Sequence, residues 1–526
     1  MGGGSGLAAS ASTTCPSTSA EGRRADAPSP DPASPRRRWR AVRLRGGALF
    51  RCGQIWPRCL CLRRLSTGKG ATEGRGRGPA AARKPVPDAP VDWCRLPEEL
   101  LVAVMAELEV ADLVRAAAAC SSWRAAFTAF RRLRVPSPKQ PPCLLYSDRD
   151  DPDVAVLRAP TPSSRSAAAP PIRAALPGLP LSRLTFVGSA YGWLVTADQS
   201  SNLHVVNPLN GAQVALPPLA TLHNVESSTG EGGDVTYRIF TKLEDADTEP
   251  AATLAAAAAR ETMYCRAILS CSPSAGSACI VLLLHWPDGE LSFARLGDER
   301  WTPVSAVGHA PLQRSGYRDA LYDSDSSLFY VMRLDSTIYT LDLNGESPSA
   351  SRIFLPSVTV MYDPDLGHVI TMYLVRAPSG DLLQVCRQIA IHVYPIFSPP
   401  RDDGDYELVR RIETCDVRVY MVDLHGQKLE QITTLGDHSL FLGYNNSMCI
   451  STKDLPMLKP NLGYLTDSCY ECVYTETDSS RDMGVFRIGE TPKYQGMHRK
   501  LNLQWFPHFW ECLCLPVPIW ITPSVY

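Results

Sequence analysis

The sequence predicts a mainly β protein with one small α domain near its start, on three observations. Residues 93–127, WCRLPEELLVAVMAELEVADLVRAAAACSSWRAAF, form the one stretch that reads as two short helices. Beyond about residue 140, short apolar or alternating runs lie on both sides of turn signals, the pattern of hairpins. Residues 1 to about 90 are rich in Gly, Ala, Ser, Pro and Arg and carry neither period.

The low-complexity arm comes first. It cannot bury enough apolar area to offset chain entropy, so disorder is expected over 1–90. Between Asp31 and Glu73 there is no acidic residue, while Arg36, Arg37, Arg38, Arg40, Arg43, Arg45, Arg51, Arg58, Arg63, Arg64 and Lys69 are all basic. This block reads as a solvated basic tail, with a nuclear-import or nucleic-acid patch and an organellar transit peptide as alternatives. The transit reading is weakened because the first Arg, Arg23, follows the acidic Glu21. MGGGSG at the start lacks the Ser or Thr that a myristoylation signal wants where Gly6 stands.

The helical unit follows, over 91–134. Pro97 suits the first turn of a helix, and Glu98 and Glu99 suit its positive end, so a helix of about three turns should begin near Leu96. Leu100, Val104 and Leu108 recur at four-residue spacing, widened by Leu101 and Met105 into one apolar face. Asp112 leads a second helix, DLVRAAAACSSWRAAFTAF, with Leu113, Ala116, Ala117, Cys120, Trp123 and Phe127 on or near one face. A unit this small cannot hide both apolar faces, so the following domain or another protein must cover it.

The order Leu96-Pro97, Leu100-Leu101, Met105, Leu108, Asp112-Leu113 and CSSWR, ending at Trp123-Arg124, resembles the F-box. That resemblance implies docking on a Skp-type adaptor, which joins the chain to a cullin-RING ubiquitin ligase. It also implies that Leu96, Pro97, Leu100, Leu101, Met105, Leu108, Leu113 and Trp123 form or support the adaptor-binding face. One departure is RAAAAC, where Ala119 replaces a larger aliphatic residue common in the family; Ala favours helix but buries little area, so weaker docking is expected.

The β region, 135–526, contains hairpins in GWLVTADQSSNLHVVNPLNG, CIVLLLHWPDGELSFARL, SLFYVMRLDSTIYTLDLNG, MYLVRAPSGDLLQVCRQ and VRVYMVDLHGQKLEQITTL. Their turns centre near Gln199, Asp288, Asp335, Ser379 and His425, at intervals of 89, 47, 44 and 46 residues. A repeat of about 45 residues is the spacing of β-propeller blades. It leaves the number of blades open, and a pair of β-sandwiches is the competing architecture. AATLAAAAARETMY reads as a short helix within an insertion at 222–262, and 395–410 as an extended loop.

SAYGWLVTAD, the Asn207-Pro208-Leu209 turn followed by ALPPL, GDLLQV, LGDHSLFLGYNNSMCI, LKPNLGYLTD and PIWITPS together resemble the KIB-type β-propeller that follows an F-box in many plant proteins. The motifs read as structural. Gly436, Gly443 and Asn461 suit tight turns and Trp193, Phe441 and Trp520 suit the core, with a ligand role for GDHSLFLG as the alternative.

Bulk properties agree with a globular protein, and the local patterns that suggest chemistry are incomplete. The chain has 526 residues, 44% of them hydrophobic, enough for a sizeable core. Its 53 Lys and Arg against 54 Asp and Glu give a net charge of -1, with no overall drive toward nucleic acid or membrane. The longest apolar run, CIVLLLHW, is far short of the about 20 residues that span a bilayer. Seventeen Cys without a repeated spacing read as reduced thiols inside a cell. The Cys469–Cys472 pair has no second pair or His pair to complete a zinc site, and Asp323 with Asp325 lacks the other calcium-loop positions, so a solvated turn is expected there. Asp437, His438 and Ser439 are adjacent and cannot align as a relay on a strand. The sequon at Asn445 would matter only in a secreted protein.

The sequence is therefore read as a non-enzymatic, cofactor-free and metal-free substrate-recognition subunit of a Skp-cullin-F-box ligase. Its partners are the adaptor and a client, for which a signalling protein is the guess that the family resemblance suggests, and it is placed in nucleus or cytoplasm. The alternative is a scaffold propeller without ligase assembly, organellar if the basic arm is a transit peptide.

Overall fold

Apolar runs that alternate at period two, bounded by turns, become four-stranded sheets here, antiparallel but for one strand pair, and each sheet hides both faces against neighbours. The computed structural model describes residues 93–526 apart from 136–139, 149, 161–170, 176–179, 231, 242–248, 288, 305–315, 346–348, 354, 357–367, 396–407, 468–481, 491–492, 496–497 and 501–516. The basic arm, Cys469 and Cys472 lie outside the described residues.

Three helices open it: α1 (Glu98–Met105), α2 (Val110–Ala119) and α3 (Ser121–Arg132). The first blade takes β1 (Cys143–Ser147), β2 (Val154–Arg158) and β3 (Ile172–Ala175), and the second β4 (Thr185–Ala190), β5 (Trp193–Ala197), β6 (Leu203–Val206) and β7 (Gln213–Ala215). A three-stranded sheet of β8 (Val225–Thr229), β9 (Val235–Ile239) and β10 (Ala252–Ala255) intervenes with α4 (Ala256–Thr262). The third blade is β11 (Tyr264–Leu269), β12 (Ile280–His285), β13 (Glu290–Arg295) and β14 (Thr302–Pro303), and the fourth β15 (Tyr317–Asp323), β16 (Leu328–Arg333), β17 (Ile338–Asp342) and β18 (Ser349–Ile353). The fifth is β19 (His368–Arg376), β20 (Leu382–Pro395), β21 (Leu408–Asp423) and β22 (Lys428–Ile432). The sixth holds β23 (His438–Leu442), β24 (Met448–Ser451), β25 (Leu462–Leu465) and β26 (Gly484–Arg487) in the order β24-β23-β25-β26, with β23 and β25 parallel. A hairpin of β27 (Lys493–Gln495) and β28 (His498–Lys500) precedes β29 (Ile519–Ile521), which returns to pair with β1 and complete the first blade.

Six four-stranded blades are thus present among the described residues, and their first strands adjoin around an axis: β29 on β4, β4 on β11, β11 on β15, β15 on β19 and β19 on β24. The core is six inter-blade layers. The wholly buried β12 shows why its sequence is an unbroken apolar run: Val281 and Leu283 pack toward the second blade, Leu282 and Leu284 toward the fourth. The ring closes where Phe441 stacks on Tyr464 with centroids 4.6 Å apart and meets Trp520 of β29 edge-on at 5.0 Å. Trp193, Phe441 and Trp520 are core residues, as expected. Gly436 and Asn461 have φ of 56° and 60°, fitting their turns.

The hairpin spacing needs correction in two places. The turns at Ser379 and His425 both belong to the fifth blade, whose β20 and β21 are 14 and 16 residues long, so that interval is not a blade step. The 89-residue gap holds the β8–β10 sheet rather than a blade, since β4 packs directly on β11. The predicted loop at 395–410 is strand at its ends, β20 running to Pro395 and β21 starting at Leu408. The expected short helix within the insertion is α4.

Candidate docking face of the helical unit

Leu101, Met105, Val110, Leu113, Ala126 and Phe130 form the core of the helical unit. The second helix expected from the sequence is two, because Cys120 turns extended (φ -160°, ψ 176°) between α2 and α3. A straight helix would hold Leu113 and Phe130 about 25 Å apart; the break brings both into one core. The first helix is also shorter than expected, since the chain turns to place Val110 in that core, its N–H donating to Gln140 Oε1 at 2.8 Å.

The structure sorts the eight residues named from the sequence. Leu101, Met105 and Leu113 are buried, and Leu96, Leu108 and Trp123 pack partly buried against them. Pro97 and Leu100 face outward, and Leu100 is 53% exposed. Val104, one turn on, and Trp93, ahead of α1, are exposed as well. Pro97, Leu100 and Val104 stand at i, i+3 and i+7, which is one helix face. Val104 lay in the apolar stripe read from sequence; Trp93 had no periodic signal.

Another side of the unit is fastened to the propeller through the last residues of the chain described. Phe130 stacks on Tyr526 at 6.0 Å, the Tyr526 hydroxyl donates to Val135 O, and Arg131 Nε donates to Val525 O at 3.0 Å. From the propeller side Asn207 Nδ2 donates to Ser524 O and Tyr526 O, both at 3.0 Å, and Trp193 Nε1 to Tyr526 O at 3.0 Å. Gly192, at φ 81°, lies so near Ser524 that a Cβ would come within 2.3 Å of the serine Cβ. These partners are over 300 residues apart, and no local sequence signal pairs them.

The clamp also assigns the faces of the propeller. Successive strands of the first five blades run antiparallel from the axis outward, so in these first-to-second and third-to-fourth turns share one face and second-to-third turns lie on the other. On the side of the helical unit, Asn210 Nδ2 of a third-to-fourth turn donates to Val525 O of the clamp, and Arg134 Nη2 donates to Ser274 O of a first-to-second loop. The opposite face carries the turns after β5, β12 and β16, including Leu334, 47% exposed.

A buried ion pair links the innermost strands of neighbouring blades. Arg266 of β11 sends Nη1 to Asp319 Oδ1 at 2.9 Å and donates from Nη2 to Gly443 O at 2.7 Å, and its guanidinium lies 5.6 Å from the centroid of the Tyr373 ring. Asp319 accepts the N–H groups of Leu374 and Ala320 at 2.7 and 2.8 Å. One ion pair thereby ties the third, fourth, fifth and sixth blades. Burial pushes the Asp319 carboxyl above the usual range, and Arg266 only partly offsets it. A second buried pair, Arg387 Nη2 to Asp482 Oδ2 at 2.9 Å, with Thr414 bridging, joins the fifth blade to the segment before β26.

The patterns weighed for chemistry go elsewhere. His438 Nδ1 lies 3.1 Å from Leu435 O, Asp437 pairs with Lys453 at 2.8 Å, and Ser439 donates to Lys459 O at 2.6 Å. Asp323 is buried and pairs with Arg376 at 3.3 Å, which corrects the reading of a solvated turn there; Asp325 is exposed. Asn445 is buried, with Nδ2 donating to Phe441 O and Asn446 O. At the α2–α3 break the N–H of Trp123 lowers the Cys120 thiol, burial opposes it, and the Cys94 side chain adds to the lowering.

A three-helix unit with an outward apolar row, clamped to one face of a closed propeller, has the organisation of an F-box substrate-recognition protein, and residues 93–133 match the F-box-like family model. The chain belongs to the KIB1-4 β-propeller family, whose model matches residues 164–487, more than half its length. It is similar to F-box protein At2g05970 of Arabidopsis thaliana, 23% identical over 72% of this chain and 85% of that one. A second Arabidopsis thaliana F-box protein, At4g22180, is 21% identical over 80% of this chain and 93% of its own. Among solved structures, the Malassezia sympodialis allergen Mala s 1 matches at 9% identity, over 48% of this chain and 92% of that one, with a TM-score of 0.20, too slight a likeness to carry an argument.

Proposed function

We propose that the chain is the client-recognition subunit of a Skp-cullin-F-box ubiquitin ligase, acting in nucleus or cytoplasm and doing no chemistry itself. The observation that carries the reading is the exposed apolar row of Pro97, Leu100 and Val104 on one face of a unit whose Leu101, Met105, Val110, Leu113, Ala126 and Phe130 are already used in its own core. The row is the part of the F-box-like unit left for a Skp-type adaptor. The client, a signalling protein by family resemblance, docks on the face with the turns after β5, β12 and β16, opposite the helical unit. The rigid clamp holds that face at a fixed distance from the adaptor, which raises the effective concentration of client lysines near the charged conjugating enzyme.

The test is capture of the full chain by an immobilised plant Skp-type adaptor, comparing wild type with Leu100→Asp and Val104→Asp. Truncating or charging a central anchor costs about 2 kcal/mol or more, roughly thirtyfold in affinity. Loss of capture with circular dichroism unchanged supports the reading. Folded wild type that does not bind the adaptor overturns it and leaves a scaffold propeller.

A further inference from the structure

We infer that His223, His285 and Glu290 form a binding site for a zinc-class divalent ion that fastens the β8–β10 sheet to the third blade. One ligand atom from each lies within 4.8 Å of the others, and among the described residues this is the one His/Cys/Asp/Glu group of three so disposed. A tetrahedral zinc places its N and O ligands about 3.5 Å apart, so shifts of about 1 Å bring the three side chains to zinc distance, with water as the fourth ligand.

The fold supplies the ligands from two places. His285 and Glu290 are directly opposed across the β12–β13 ladder, so the hairpin register presents both together. His223 comes from the connection just before β8 and sets its ring 5.9 Å from that of His285.

Both histidines have a feature that a simple ion pair leaves unused. His223 Nε2 lies 2.8 Å from Glu290 Oε2, yet neither buried ring nitrogen of His223 is aligned with a hydrogen-bond partner. His285 Nδ1 is 3.1 Å from the carbonyl oxygen of Trp286, which only accepts, so Nδ1 carries the proton and Nε2 keeps its lone pair. Nε2 lies 3.0 Å from Ser292 Oγ, the contact that an ion would replace. An imidazole whose far nitrogen is fixed by a backbone carbonyl is the tautomer that metal-binding histidines adopt. Two imidazoles and a carboxylate select zinc, cobalt or nickel over calcium or magnesium. The His223 side chain is 22% exposed, so the site lies near the surface.

The test uses the full chain, stripped with a chelator and titrated with Zn²⁺ alone and with Co²⁺ alone, as wild type, His223→Ala and Glu290→Gln. Wild type should bind one equivalent more than His223→Ala, and Glu290→Gln should bind at least about tenfold more weakly. The cobalt difference spectrum between wild type and His223→Ala should show tetrahedral d–d bands without thiolate charge transfer, which separates this site from the chain's cysteines. Equal stoichiometry in wild type and folded His223→Ala, or a thiolate band in that difference, overturns the inference. Should His223→Ala fail to fold, His223→Gln, a polar replacement without the imidazole, is read against the same two outcomes.

Discussion

Arg266 and Asp319 meet 2.9 Å apart at the propeller axis, and their remaining bonds reach Gly443 and Leu374, so one pair touches four blades. Removing one partner strands a buried charge, which costs about 3–5 kcal/mol. Arg266→Met should show that loss in urea denaturation, and Arg266→Met/Asp319→Leu should recover part of it.

The same pair sets a pH dependence. The Asp319 carboxyl sits above its ordinary value of 3.8, so between that value and its raised one the folded chain binds more protons than the unfolded chain. This group's contribution to stability therefore falls as pH rises through that window. The stability advantage of wild type over Asp319→Asn should narrow over the same interval, read by denaturation at each pH.

The helical unit separates two kinds of leucine. Leu101→Ala or Met105→Ala should destabilise by about 2–5 kcal/mol, since each opens a cavity in the core. Leu100→Asp, on the exposed row, should shift stability by no more than about 0.5 kcal/mol while removing adaptor capture.

Asn207→Ala should loosen the helical unit, because it removes the amide donor from Ser524 O and leaves Tyr526 O with Trp193 Nε1 as its remaining clamp donor, at about 1–3 kcal/mol. Faster hydrogen exchange in α3 and in the last residues, with β16 and β20 unchanged, is the expected reading.

Thiol chemistry should be selective. Cys120 is depressed from 9.0 by the Trp123 N–H, whereas burial pushes Cys143, Cys279 and Cys449 up to about 12. At mildly alkaline pH iodoacetamide should label Cys120 ahead of those three, and labelling should fall as pH drops through the Cys120 value, measured by peptide mass spectrometry.

Period two, turn residues and one amphipathic stretch made the β class, the five hairpins and the helical unit legible, because those signals live within a dozen residues. Leu101, Met105 and Leu113 were legible as apolar positions but not as core. Which side of a stripe meets Phe130 depends on the break at Cys120, and a string of helix-forming alanines conceals it.

By itself the sequence determined that strands would pair with their neighbours, that the Leu-Pro unit would be helical, and that Trp193, Phe441 and Trp520 would be buried. Only the tertiary structure decided the six blades, the β29–β1 closure, the Asn207–Tyr526 clamp, the Arg266–Asp319 pair and the meeting of His223 with His285. Each of these joins residues that are dozens to hundreds of positions apart in the chain. Local propensity carries no information about such encounters, which are set by burying both faces of every blade at once.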